Sequence, residues 1–115
     1  MVGKPISALL QKEDCTVTMC HSRTKNIENF TKQADIIVVA IGRANYLKGD
    51  MVKDGAVIVD VGIYRDPNGQ LSGDVDYDFV YDSVGFISPV PGGVGPMTIC
   101  MLMKNCVEAM KCYRN

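Results

Sequence analysis

An α/β fold around a mainly parallel sheet is what this 115-residue sequence predicts, on three observations. Two apolar runs, "DIIVVAIG" (35–42) and "AVIVDVG" (56–62), are continuous rather than alternating, as expected of parallel strands covered on both faces. Segments with helical spacing stand before, between and after them, which makes strand–helix–strand crossovers of the right-handed kind. Each run ends on a glycine, Gly42 or Gly62, at the strand end where open α/β sheets take their ligands.

The elements follow in order. "KPISALLQK" reads as a short helix, with Pro5 near its start and Ile6, Leu9 and Leu10 on one face. "CTVTMC" (15–20) is β-branched and bounded by charge and a polar "HSRTKN", so it suits a strand and turn. "IENFTKQ" (27–33) offers a helix. Between the two apolar strands, "YLKGDMVKDG" carries a helical turn closed by Gly55. "YRDPNGQLSGDVD" holds two turn signals, P-N-G and S-G, and reads as a loop with room for a small hairpin. Asp76 is placed to cap a helix through "YDFVYDSV", and "GFISPV" gives a last short strand. The final helix starts near Pro96. Its Ile99, Leu102, Met103, Cys106 and Met110 form one stripe, expected to pack on the sheet while Lys104, Asn105, Glu108 and Lys111 face out.

Bulk properties exclude several functions. Twelve Lys plus Arg against thirteen Asp plus Glu leave a net charge of −1, so no global field draws the chain to nucleic acid or an acidic membrane. Five cysteines with no C-x-x-C pair and one histidine give no metal set and read as free thiols of a reducing, cytoplasmic compartment. The longest apolar run is too short to span a bilayer, and no secretory pattern opens the chain. A soluble single domain is expected.

Two segments carry the candidate chemistry. "CHSRTK" (20–25) lies where a βαβ unit reads the adenosine ribose of a dinucleotide. It has no carboxylate to hold ribose hydroxyls, but offers Ser22 and Thr24 hydroxyls with Arg23 and Lys25 charges, a set suited to a phosphate dianion. A solvated turn with two surface cations fits the same residues. His21, the lone histidine, reads as a hydrogen-bonded structural residue rather than a base or ligand. In "PVPGGVGPMT" (89–98) prolines stiffen a loop whose glycines expose backbone N–H groups at a helix start, able to meet a carbonyl, carboxamide or anion, with Thr98 adding a hydroxyl. Glycines 42 and 62 let a ligand approach the strand ends, or merely shape turns there, and Asp60 is placed to orient the second of these loops.

In order along the chain, "VGKP" (2–5), "CHSRT" (20–24), "ADIIVVAIG" (34–42), "GAVIVDVGI" (55–63), "GDVDY" (73–77) and "ISPVPGGVGPMT" (87–98) resemble the methylenetetrahydrofolate dehydrogenase/cyclohydrolase family. The resemblance covers essentially the whole chain, and PGGVGPMT is its most specific string. It implies a Rossmann-like, three-layer α/β/α NAD(P)-binding domain over residues 1–115, truncated at its first strand and lacking the N-terminal catalytic domain. The parent enzyme oxidises 5,10-methylenetetrahydrofolate to the methenyl form with NADP and hydrolyses that to 10-formyltetrahydrofolate.

The same resemblance assigns roles. Ser22, helped by Arg23, faces the 2′-phosphate of NADP, and Ile63 contacts the cofactor; Gly42, from its place at a strand end, and Thr98 are expected to contact it too. Pro91, Gly92, Gly93, Val94, Gly95, Pro96, Met97, Thr98 and Ile99 line the folate and nicotinamide cleft. No catalytic residue is expected in this chain, since the family's Tyr-x-x-x-Lys pair belongs to the missing domain. A folate substrate and a homodimer are the implied partners. Two departures bear on the cofactor pocket: "GRANY" (42–46) replaces a G-K-P-G-F-like turn, and Tyr64 stands where Asn is common. The competing expectation is a standalone nucleotide-binding or interaction module without catalysis.

Overall fold

In the computed structural model, which describes residues 1–114, three strands form one parallel sheet in the order β1-β2-β5. They are β1 (Ile36–Val39), β2 (Val57–Asp60) and β5 (Phe86–Ile87), with Ile37 beside Ile58 and Ile58 beside Ile87. The helices are α1 (Gly3–Lys12), α2 (Glu28–Thr31), α3 (Tyr77–Val80) and α4 (Val94–Arg114). This is the Rossmann-like α/β arrangement the sequence predicts. The expected hairpin forms as β3 (Tyr64–Arg65) against β4 (Leu71–Ser72), closed where the Gly69 N–H reaches the Asp66 carbonyl at 2.9 Å. The expected helical turn is a 3-10 turn at Gly49–Met51.

The core lies on one face of the sheet. Ile37, Val39, Ile58 and Ile87 are buried against Leu47, Val52, Val75 and Val80. Segments 45–47 and 73–76 run side by side to build that cover: Leu47 and Val75 form a parallel bridge, and the Tyr46 and Leu47 N–H groups both donate to the Asp74 carbonyl. Coverage on both faces, which the continuous runs predict, is not found: the opposite face, reached by alternate residues, is more open, with Ile36 54% and Phe86 55% exposed.

Five expectations change in detail. Cys15–Cys20 forms no strand, because no described strand runs beside it to complete a ladder, and β-propensity alone cannot hold an unpaired segment. Helix α4 begins at Val94, two residues ahead of Pro96; proline still falls in the first turn, where its missing N–H has no intrahelical partner to lose. Asp76 stands at the start of α3, but its side chain makes no capping bond. The stripe on α4 does not pack on the sheet. No residue of that helix is buried, and Ile99, Leu102, Met103 and Met110 are each more than half exposed. Periodicity marked an apolar face but not what covers it. On α1 the buried residue is Ser7, while Leu9 is exposed.

Candidate functional site

The site is built where three strands end. The chain leaves β1 through Ile41–Gly42, β2 through Val61–Ile63 and β5 through Ser88–Gly93, all at the carboxyl edge of the parallel sheet. Two buried carboxylates tie these exits together. Asp60, 3% exposed at the end of β2, accepts from the Gly62 and Asp74 N–H groups on Oδ1 and from the Val75 N–H on Oδ2. Its own N–H donates to Ser88 Oγ at 2.8 Å, joining β2 to the exit of β5. Burial pushes the Asp60 carboxyl above its ordinary value, while the N–H bonds from Val75, Asp74 and Gly62 pull the other way.

Asp74 is wholly buried. Its Oδ2 accepts from Ile41 N at 2.6 Å and Gly42 N at 2.8 Å, and its Oδ1 has no hydrogen-bond partner. Gly42 has φ +78°, the left-handed region that glycine enters freely. Sequence reasoning placed Asp60 correctly as the residue orienting the Gly62 loop. It missed Asp74, whose signal was a carboxylate inside the glycine-flanked "GDVDY" next to a predicted turn.

The "PVPGGVGPMT" segment makes one wall of an open cleft of about 840 Å³. Gly92, Gly93, Val94, Met97 and Thr98 line it together with Ser88 and Pro89, and the sheet contributes Val59 and Phe86 on the far side. Pro91, Gly95, Pro96 and Ile99 lie on the same segment but outside that lining; Ile99 is 66% exposed. Local geometry accounts for the paired glycines. Gly92 has φ +99°, and a β-carbon on Gly93 would stand 2.3 Å from the Pro89 carbonyl oxygen. The Thr98 hydroxyl donates to the Val94 carbonyl at 2.9 Å, so its oxygen keeps lone pairs for a ligand donor.

Ser22 and Arg23 sit on a separate, exposed turn. The His21 N–H donates to Thr24 Oγ1 at 2.9 Å, the Thr24 N–H to the His21 carbonyl, and the Arg23 N–H to His21 Nδ1 at 3.1 Å. His21 is the structural residue the sequence suggested, and it shapes the turn through its ring nitrogen. Neither the Ser22 hydroxyl nor the Arg23 guanidinium has an internal partner among the described residues, so both are free for an external anion. No carboxylate lies on the turn to oppose one. Ile63 is 69% exposed beside the β2 exit. A second cleft, about 630 Å³, opens past Gly42 between Arg43, Lys32 and Lys48 and the carboxylates Glu28 and Asp50. The structure thus joins Gly42, the Ile63 loop and the Ser88–Thr98 segment through hydrogen bonds, and leaves the Ser22–Arg23 turn unbonded to them.

A sequence model of the tetrahydrofolate dehydrogenase/cyclohydrolase NAD(P)-binding domain matches residues 1–114. The chain belongs to this family. Among curated relatives, the bifunctional protein FolD of Lachnoclostridium phytofermentans is 60% identical over 114 residues, covering 99% of this chain and 40% of that protein. FolD of Bacillus subtilis is 56% identical over 111 residues, 96% of this chain and 39% of that protein. Among solved structures, the FolD dehydrogenase/cyclohydrolase of Campylobacter jejuni superposes with TM-score 0.94 at 49% identity, over 96% of this chain and 39% of that one. The Trypanosoma brucei FolD, complexed with NADP cofactor and inhibitor, gives 0.84 at 42% identity, over 91% and 38%. The chain therefore spans about two fifths of the length of these FolD relatives. Its resemblance to the methylenetetrahydrofolate dehydrogenase/cyclohydrolase family extends to the fold, and the family's cofactor domain is the part represented.

Proposed function

We propose that this chain binds NADP at the carboxyl edge of its sheet, as the cofactor domain of an enzyme that oxidises 5,10-methylenetetrahydrofolate to the 5,10-methenyl form and hydrolyses that to 10-formyltetrahydrofolate. The observation that carries the reading is the family match over residues 1–114. The residues present fit the cofactor. Ser22 and Arg23 offer free donors for a 2′-phosphate on a turn without a carboxylate. In this reading the nucleotide crosses the strand ends beside Gly42 and the exposed Ile63, and its nicotinamide end meets the oxygen of Thr98, whose hydroxyl hydrogen is engaged by the Val94 carbonyl. When bound, NADP supplies the hydride acceptor. The segment from Pro91 to Ile99 forms the wall against which folate and nicotinamide meet, with Gly92, Gly93, Val94, Met97 and Thr98 lining the open cleft.

In this reading the groups that move protons in both reactions lie in a folate-binding portion, within the length of the FolD relatives that this chain does not span. Hydride transfer needs donor and acceptor clamped within reacting distance, so the chain binds cofactor but turns over only when joined to that portion. The same reading makes the enzyme a cytoplasmic homodimer that supplies formyl groups for purine biosynthesis. Five free cysteines support a reducing compartment, and the exposed apolar residues of α4 support burial of that helix by folate-binding portion or second copy. None of the helices in the described residues is long and apolar enough to cross a membrane.

The test is a titration of the chain with NADP and with NAD, followed by an assay of NADPH formation from methylenetetrahydrofolate. Tighter binding of NADP with no turnover by the chain alone is the expected result. Equal binding of NAD, or a robust rate of NADPH formation by the chain alone, overturns it.

A further inference from the structure

We infer that Asp74 is the positioning residue of the cofactor crevice, holding the β1 and β2 exit loops in one fixed relation. The inference rests on the NADP reading above only for what the crevice binds. Its geometric basis is independent. The side chain is wholly buried, yet it belongs to neither loop. Through Oδ2 it takes both backbone N–H groups of the β1 exit, Ile41 and Gly42. Through its own N–H it is bonded to Asp60, the residue that also binds the Gly62 N–H. Its unpartnered Oδ1 is turned to Gly62, where a β-carbon would come within 2.4 Å. One carboxylate thus touches the β1 exit by hydrogen bonds and the β2 exit by packing.

Asp74 is thus committed to both loops by geometry, Oδ2 by hydrogen bonds to Ile41 and Gly42 and Oδ1 by close packing on Gly62. Adjacent backbone N–H groups at a strand end are also a natural anion cradle. Here Asp74 fills that cradle itself. The turn after β1 is thereby closed to a phosphate, and the nucleotide passes it by backbone contact at Gly42 rather than by charge. The two anchors also set the distance between Gly42 and Ile63, the flanks of the nucleotide path.

The decisive experiment is nuclear magnetic resonance on the chain, comparing wild type with Asp74→Asn and titrating each with NADP. A carbonyl is a weaker acceptor than a carboxylate, so the Ile41 and Gly42 amide protons should move upfield in the variant. The Gly62 and Ile63 amides should move with them and the α4 resonances should stay in place, while the melting temperature falls by several degrees as two charge-assisted bonds become neutral ones. NADP affinity should fall about tenfold or more, the scale of loss for a misplaced binding group. Movement confined to Ile41 and Gly42, or unchanged NADP affinity in a variant whose two loops have both moved, overturns the proposal. If Asp74→Asn does not fold, the wild type decides. NADP saturation should shift the Asp74 carboxyl carbon together with the Gly42 and Ile63 amides, although the buried carboxylate touches no ligand, and a stationary carboxyl carbon overturns the proposal. If wild type gives no NADP response at any amide, the NADP reading falls, and the amide map of Asp74→Asn alone upholds the coupling by changes in both loops or overturns it by changes in one.

Discussion

A β-carbon on Gly62 would stand 2.4 Å from Oδ1 of Asp74 and 2.2 Å from its carboxyl carbon. The Asp74 backbone nitrogen, 2.6 Å away, blocks the other escape, so neither partner can yield without breaking the Ile41 and Gly42 hydrogen bonds. Gly62→Ala should therefore lower stability by about 3 kcal/mol, at the upper end of overpacking costs. Gly95 is the contrast. It lies in the first turn of α4 with nothing within 4 Å of a β-carbon, and Gly95→Ala should raise stability by about 0.5–1 kcal/mol through the unfolded state. Urea midpoints of the two variants, moving in opposite directions, check the pair.

Asp60 gives the chain a pH dependence of definite sign. Its folded value is raised by burial, so between the ordinary carboxylate value and the raised one the folded chain holds more protons than the unfolded chain. Stability from this group is fully present below that interval, falls as pH rises through it and is level above. Asp35 acts in the opposite sense, because the Lys53 hydrogen bond and charge hold its carboxyl below the ordinary range. It is fully exposed, and its contribution cancels when Asp60→Asn is compared with wild type. That variant should be less stable by about 1–3 kcal/mol, since an amide cannot accept all three N–H bonds. The deficit should shrink as pH rises from about 4 toward 7. Urea unfolding across that range measures it, and a deficit that grows with pH would contradict the assignment.

Helix α4 should contribute little packing to the chain by itself. Met103 is 64% and Met110 54% exposed, so Met103→Lys and Met110→Lys should change stability by no more than about 0.5 kcal/mol. Ile58, fully buried at the centre of the sheet, should cost about 2–5 kcal/mol as Ile58→Ala. Equilibrium unfolding separates the two classes, and a large loss from either lysine would mean that the helix already has a partner.

These contrasts show which parts of the molecule could be read from sequence. The central strands were legible because residues 36–39 and 57–60 form continuous apolar runs, although only alternate side chains are buried and the second face those runs imply stays largely open. The hairpin was legible because Pro67, Asn68 and Gly69 specify a turn locally. Cys15–Cys20 was misread because a strand exists only with a neighbour, and composition does not say whether one is present. The α4 stripe failed in the same way. At the site, glycines 42 and 62 were read for ligand approach, whereas Gly62 is also required by a carboxylate. Asp74 escaped notice because its bond to Ile41 spans 33 residues, a contact no local pattern reports.

The Ser22–Arg23 turn permits a separation of binding from folding. The Ser22 and Arg23 side chains make no internal hydrogen bond among the described residues, so Ser22→Ala and Arg23→Ala should leave stability within about 0.5 kcal/mol of wild type. Each removes a donor to a doubly charged phosphate, a bond of about 1.5–3 kcal/mol, so NADP should bind roughly tenfold to hundredfold more weakly. NAD carries no 2′-phosphate and should bind both variants as it binds wild type. Thr24 is different, since its Oγ1 accepts the His21 N–H and holds the turn. Thr24→Val should cost about 1 kcal/mol in stability and weaken NADP through disorder of the turn rather than through loss of a contact. Calorimetric titration with the two dinucleotides distinguishes the cases, and an equal loss of NAD and NADP affinity in Ser22→Ala or Arg23→Ala would remove the 2′-phosphate from this turn.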